Sequence, residues 1–111
     1  MKRVFARAMC LCLLCVLPIV LSAEDFMAQG NALYEKGNTN IENYKLSGDM
    51  FAKALGTNQT SYEAAWKAAR SYREFANESK KRNASDWKAL CKQYGKLGMN
   101  YGEKAIALNS N

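Results

Sequence analysis

The 111-residue chain has no histidine and one proline, and three of its four cysteines fall within the first fifteen residues. Without histidine it lacks the commonest general base and the commonest metal ligand. Serine–histidine and cysteine–histidine nucleophile pairs are excluded, as are mononuclear zinc sites that use histidine. No phosphate-binding glycine loop occurs, and Cys91 alone follows residue 15, so no cysteine metal pattern or intrachain disulfide can form in the rest of the chain. No cofactor is implied. The formal net charge is +6, from 16 basic and 10 acidic residues. Setting aside Lys2, Arg3 and Arg7 leaves 13 basic residues against 10 acidic, a net charge of +3. No basic face with interleaved aromatics remains, so nucleic acid is not an expected partner.

Lys2, Arg3 and Arg7 precede an apolar run from Ala8 to Leu21 that ends in Ser22 and Ala23, ahead of Glu24 and Asp25. A positive start, a short apolar stretch and small residues before polar sequence is the layout of a secretory signal peptide. The run is short for a membrane span and contains Pro18. Residues 1–23 are expected to be removed, with cleavage after Ala23 or, alternatively, after Ser22. The competing reading is an uncleaved N-terminal anchor, the only route by which the chain would meet a membrane. Lipidation is not expected, because Met9 and Leu14, not small residues, precede Cys10 and Cys15.

Beyond residue 23 no proline interrupts the chain, and Ala, Lys, Glu, Leu and Met fill the periodic segments. Four helices are expected. The first runs from about Glu24 to Lys36, with an acidic start and a stop at Gly37-Asn38. The second spans about Asn40 to Leu55, with Ile41, Tyr44, Gly48, Phe51 and Leu55 on one face. The third starts after Thr60 or Ser61 and carries Tyr62, Ala65, Trp66, Ala69, Tyr72 and Ala76 until Asn77. A polar link from Asn77 to Asn83, carrying Lys80-Lys81-Arg82, leads to a fourth helix capped by Ser85. This last helix runs to about Leu108 and puts Gly95, Gly98 and Gly102 on one face. Each glycine costs about 1 kcal/mol against alanine in a helix interior. Either a neighbouring backbone fills that groove or the helix breaks near Gly95. No strand-like alternation occurs, so the class is all-α.

Residues Phe26–Gln59 and Glu63–Ser110 share a plan of helix, turn, helix and link. Gly30 to Asn38 (GNALYEKGN) resembles the first helix and turn of a tetratricopeptide repeat (TPR), and Phe51 to Leu55 (FAKAL) the end of its second helix. Ala65-Trp66, Ala69-Arg70 and Glu103 to Asn109 (EKAIALN) repeat the pattern in the next unit. The resemblance implies antiparallel helix hairpins stacked as a TPR-like α-solenoid over residues 24–111. About two units are present, and their pattern favours a truncated solenoid over one whose end meets another subunit. Gly30 and Ala69 would lie where helices cross, Ala54 and Ala105 would admit bulky neighbours, and Trp66 and Phe51 would fill gaps between units. With Tyr62 to Tyr72 (YEAAWKAARSY), a long connection and a helix ending at Asn109, the chain is similar to the periplasmic proteins associated with TRAP transporters (TatT-like). That resemblance implies a periplasmic or secreted bacterial protein that binds another protein, such as a transporter's solute-binding protein, with a homo-oligomer as an option.

By the same resemblance the first helix of each unit lines a groove. Its candidate binding residues are Met27, Asn31, Tyr34 and Glu35 in the first unit and Lys67, Ser71 and Glu74 in the second. The family's carboxylate clamp, a lysine and an asparagine four residues apart, is not reproduced: Met27 precedes Asn31, and Ser71 follows Lys67. The bland reading of these residues is solvated surface. Lys80-Lys81-Arg82 is a solvated run or a dock for an acidic partner. Glu63, Glu74 and Glu78 lack a spacing that would pair carboxylates across a cleft. No catalytic residue is identified, and an enzyme is not expected. The alternative function is a carrier of a small apolar ligand, with Tyr34, Tyr44, Tyr62 and Trp66 lining its pocket.

Overall fold

The computed structural model describes residues 21–109, and the expected signal segment with Cys10, Cys12, Cys15 and Pro18 lies outside them. All regular structure among the described residues is helical: α1 (Ala23–Glu35), α2 (Glu42–Thr57), α3 (Tyr62–Lys81) and α4 (Trp87–Leu108). None of these helices is long and apolar enough to cross a membrane.

Each boundary has a local cause. Ser22 caps α1 through a reciprocal box, its Oγ accepting from the Asp25 amide at 3.2 Å while its own amide donates to Asp25 Oδ2 at 3.1 Å, which satisfies two donors that the first turn leaves unpaired. The expected cleavage position therefore coincides with the cap of α1. Gly37 follows α1, but no glycine has a positive φ. Its small size is needed for another reason: a Cβ there would overlap the Tyr44 ring. Ser61 caps α3 by accepting from the Ala64 amide at 3.1 Å.

Two boundaries correct the sequence reading. The stretch from Asn77 is not a link, because α3 continues to Lys81 and buries Glu78 and Ser79. Glu78 is held there by Lys81 at 3.4 Å and Arg82 at 3.2 Å, one turn further on, a spacing that supports a helix where composition alone suggested a loop. α3 is closed off by Asn83, which takes the left-handed conformation at φ 52°. The Asn83 amide reaches Lys80 O at 3.0 Å and the Ala84 amide reaches Ser79 O at 2.9 Å, a Schellman closure. Residues 82–86 thus form the whole connection, and the long loop invoked for the TatT-like resemblance is not there. Nor does Ser85 cap α4: Asp86 occupies that place, left-handed at φ 61°, without a side-chain cap bond.

The helices pack in chain order, α1 on α2, α2 on α3, and α3 on α4. Gly30 and Tyr34 of α1 meet Phe51 and Tyr44 of α2. Ser47 of α2 faces Ser71 of α3, while Tyr94 and Gly98 of α4 meet Phe75 and Ala69 of α3. Between the helices lie two apolar clusters. One holds Ala54, Leu55, Ala64, Ala65 and Ala105, with Trp66 and Phe26 against it. The other holds Phe51, Ala68 and Tyr72. Glycines set the depth of the aromatic seats: a Cβ at Gly30 would come within 2.6 Å of the Phe51 ring, and one at Gly48 within 2.6 Å of Tyr72. α4 is continuous through all three of its glycines. Gly98 explains itself, since its missing Cβ would stand 3.2 Å from the backbone oxygen of Ala69. Cys91 is half-buried and donates its S–H to Ala76 O at 3.1 Å, the weak-donor, small-apolar behaviour expected of a helix cysteine.

Candidate groove between the first and third helices

Side chains of α1 and α3 meet at a fixed offset along the chain. Lys67 Nζ donates to Asn31 Oδ1 at 2.9 Å, across 36 positions. The Arg70 guanidinium stacks 3.8 Å from the centre of the Tyr34 ring, again 36 positions along the chain. A cleft of about 390 Å³ opens beside these pairs, lined by Met27, Asn31, Ser61 and Glu63 among others.

Lys67 is held on several sides. Its side chain is 14% exposed, Glu63 pairs with it at 3.0 Å one turn earlier, and the Phe51 and Trp66 rings lie 5.8 and 5.7 Å from its ammonium. The largely buried ammonium is thus compensated by a carboxylate, an amide oxygen and two π-faces. Arg70 is clasped in the same way, with Trp66 5.0 Å from its guanidinium on top of the Tyr34 stack. Its Nε is buried without a hydrogen-bond partner, so the aromatic faces supply most of its local stabilisation.

The expected groove residues are divided. Asn31, Tyr34 and Lys67 come together along the α1–α3 seam. Glu35 is exposed on α1, and Glu74 is half-exposed on α3. Met27 packs against both apolar clusters and also reaches the cleft. Ser71 does not line the groove. It is fully buried, with its Oγ 3.2 Å from Ser47 Oγ. Ser47 uses its own proton on Gly30 O at 2.7 Å, so Ser71 donates to Ser47 and a hydroxyl relay ties α3 through α2 to α1. The repeat resemblance placed Ser71 on the groove, whereas its side chain is turned toward α2.

Glu63 and Arg70 are the groove residues that sequence reasoning missed. Glu63 sits four residues before Lys67, the favourable order for a helical ion pair, and Arg70 repeats the 36-residue step that joins Asn31 to Lys67. At the other end of the seam, Tyr44 donates to Asn38 Oδ1 at 3.0 Å, and Arg82 donates to Asn38 O at 3.2 Å. The basic run is therefore partly a fastener between the end of α3 and the α1–α2 turn. Burial raises the Tyr44 pKa, and the nearby Glu74 carboxylate adds to the rise. Glu63 and Glu78 are each paired with a cation. Among the described residues no cluster of three or more His, Cys, Asp or Glu could hold a metal ion. The four aromatics considered for a carrier pocket are divided. Tyr34 and Tyr44 pack edge to face at 5.1 Å, while Tyr62 and Trp66 line a different cleft, between α3 and α4. No protein-family model, curated protein or solved structure matches the chain.

Proposed function

We propose that the chain is a non-catalytic, protein-binding helical module, with α1–α2 and α3–α4 as two tetratricopeptide-like hairpins stacked into a short solenoid. The observation that carries this reading is the constant offset of 36 residues between α1 and α3, made by Asn31–Lys67 and Tyr34–Arg70. A fixed offset between parallel helices is what tandem helix pairs of about 34 residues produce when they stack. It aligns polar, aromatic and charged groups along one seam, the chemistry of a surface that receives an extended polypeptide rather than a sequestered apolar molecule. In this reading the leader exports the protein to the bacterial periplasm, and a transporter's solute-binding protein is the partner.

The test places a photo-crosslinking residue at Glu63, beside the α1–α3 cleft, and at exposed Lys92 of α4 as the control. After irradiation in periplasmic extract, the Glu63 position should capture a solute-binding protein, and the Lys92 position should not. Equal capture from both positions, or capture from neither, overturns the groove as the binding surface. Capture at Glu63 of an envelope-assembly protein keeps the groove and removes the transporter link.

A further inference from the structure

The 36-residue register also aligns residues of α1 and α3 that do not touch. Ala64 and Ala68 of α3 are fully buried in the core, letting α3 settle against α2. Thirty-six positions earlier stand Ala28 and Ala32 of α1, small residues at the same places on the same kind of helix. On α1 they are exposed. α1 therefore presents outward the face by which α3 is held inward.

The matching receptor lies at the other end of the molecule. Two clefts of about 450 and 490 Å³ run along α3 and α4 and share Ala69, Arg73, Gly102 and Ile106. Large apolar groups stand out there: Ile106 is 71% exposed and Met99 61%. Gly95 and Gly102 border the same groove. A Cβ at Gly95 would meet nothing within 4 Å, and one at Gly102 only the Ala69 Cβ at 3.9 Å. Packing within the chain thus accounts for Gly98 but not for these two, each of which costs about 1 kcal/mol in helix propensity. Their effect is a deeper groove, which lets a helix with a small-residue face approach closely.

Charge points the same way. α1 carries Glu24, Asp25 and Glu35 and no basic residue. The groove is lined by Arg70 and Arg73, with Glu103 as its one carboxylate. Arg73 is exposed and has no ion pair among the described residues. We propose that a second copy of this chain docks its α1 into the α3–α4 groove, head to tail, as α3 docks on the first hairpin. The contact is heterologous, so each bound copy leaves one α1 and one groove free, and assembly continues as a ring or an open chain. The interface adjoins the α1–α3 cleft, whose edge Glu24 and Ala28 also line, but its centre lies on Ala32 and on the α3–α4 groove.

Sedimentation velocity on the full chain, over a range of concentrations, tests the contact with Ala32→Arg and Ile106→Glu. Both positions are exposed, so circular dichroism should show unchanged helicity. The wild type should pass from monomer to species of increasing size as concentration rises. Each variant alone should remain monomeric, with association weakened at least about tenfold. An equimolar mixture of the two should form a species of two chains and no more, because one variant keeps its groove and the other its α1. Three results would overturn the proposal: a wild type that stays monomeric, association that survives both substitutions, or loss in Ile106→Glu alone, which would mean back-to-back pairing of α4 faces.

Discussion

α3 and the two outer helices are built from similar residues but live in different surroundings. α3 buries ten residues, whereas α1 buries one and α4 two. α3 is clasped by α2 on one side and α4 on the other, and it alone carries five buried alanines, Ala64, Ala65, Ala68, Ala69 and Ala76. Alanine supplies little apolar area, about a third of what a leucine offers at ~25 cal/mol per Å², so these positions hold α3 by allowing close approach. The gain in area comes from the rings that close approach brings together: Phe51 over Ala68, Phe75 against Tyr94 at 4.9 Å, and Tyr72 between Tyr94 and Tyr101 at 5.8 Å from each. A middle helix made of small residues and a few large rings is fixed on both sides. Outer helices of the same composition keep one side open.

The largest break in that contrast is Phe51→Ala. The ring is fully buried and reaches α1, α2 and α3 at once, seated on Gly30 and packed on Ala68. Its loss should cost about 3–5 kcal/mol, read as a lower urea midpoint. Ile106→Ala on the open side of α4 should stay within about 0.5 kcal/mol. A cost at Ile106 close to that at Phe51 in the monomer would mean that the outer face is part of the folding core. Next in size is Tyr72→Phe. The Tyr72 hydroxyl donates to Asp49 Oδ1 at 2.7 Å, and losing a hydrogen bond to a charged acceptor costs about 1.5–3 kcal/mol. Burial, then the Asp49 bond, pushes the phenol pKa well up. The folded state therefore holds the proton after the unfolded chain has released it. Stability from this group is complete below the ordinary tyrosine value near 10 and falls as pH rises above it. The gap between wild type and Tyr72→Phe should narrow above about pH 10. A gap that stays constant into alkali would remove Tyr72 as the source of that slope.

The all-helical class was legible because proline is missing after residue 18 and apolar residues recur at helical spacing. What the sequence obscured follows from physical competition. Asn77, Glu78 and Ser79 look like a loop by composition, yet an ion-paired Glu78 and the packing of α3 between two neighbours keep them helical. Ser85 has the chemistry of an N-cap, but the Schellman closure at Asn83 consumes the turn and leaves Asp86 at the helix start. In the candidate groove Asn31, Tyr34 and Lys67 were found from their place on the first helix of each pair. Ser71 was misplaced because the repeat resemblance does not say which way a small polar residue faces, and its partner Ser47 lies 24 positions away. Arg70 was matched only as part of a repeat pattern, since a stack on Tyr34 depends on how two helices align, which no local pattern records.

The smallest effect separates the two glycines that best express the contrast between closed and open sides. Gly98 lies where the backbones of α3 and α4 nearly touch, and alanine there must push against Ala69 O at 3.2 Å and Arg73 N at 3.4 Å. Gly95, three residues earlier on the same helix, faces open space. Gly95→Ala should therefore stabilise the monomer by about 0.8–1 kcal/mol through helix propensity alone, seen as a higher thermal midpoint at low protein concentration. Gly98→Ala should gain less or lose stability, because the same propensity is offset by the backbone contact. If the groove receives the α1 of a second copy, Gly95→Ala should also weaken self-association while it stabilises the single chain. Opposite signs in the two measurements would show that the open glycine is kept for the contact between molecules. Gains in both would leave Gly95 as a plain helix defect.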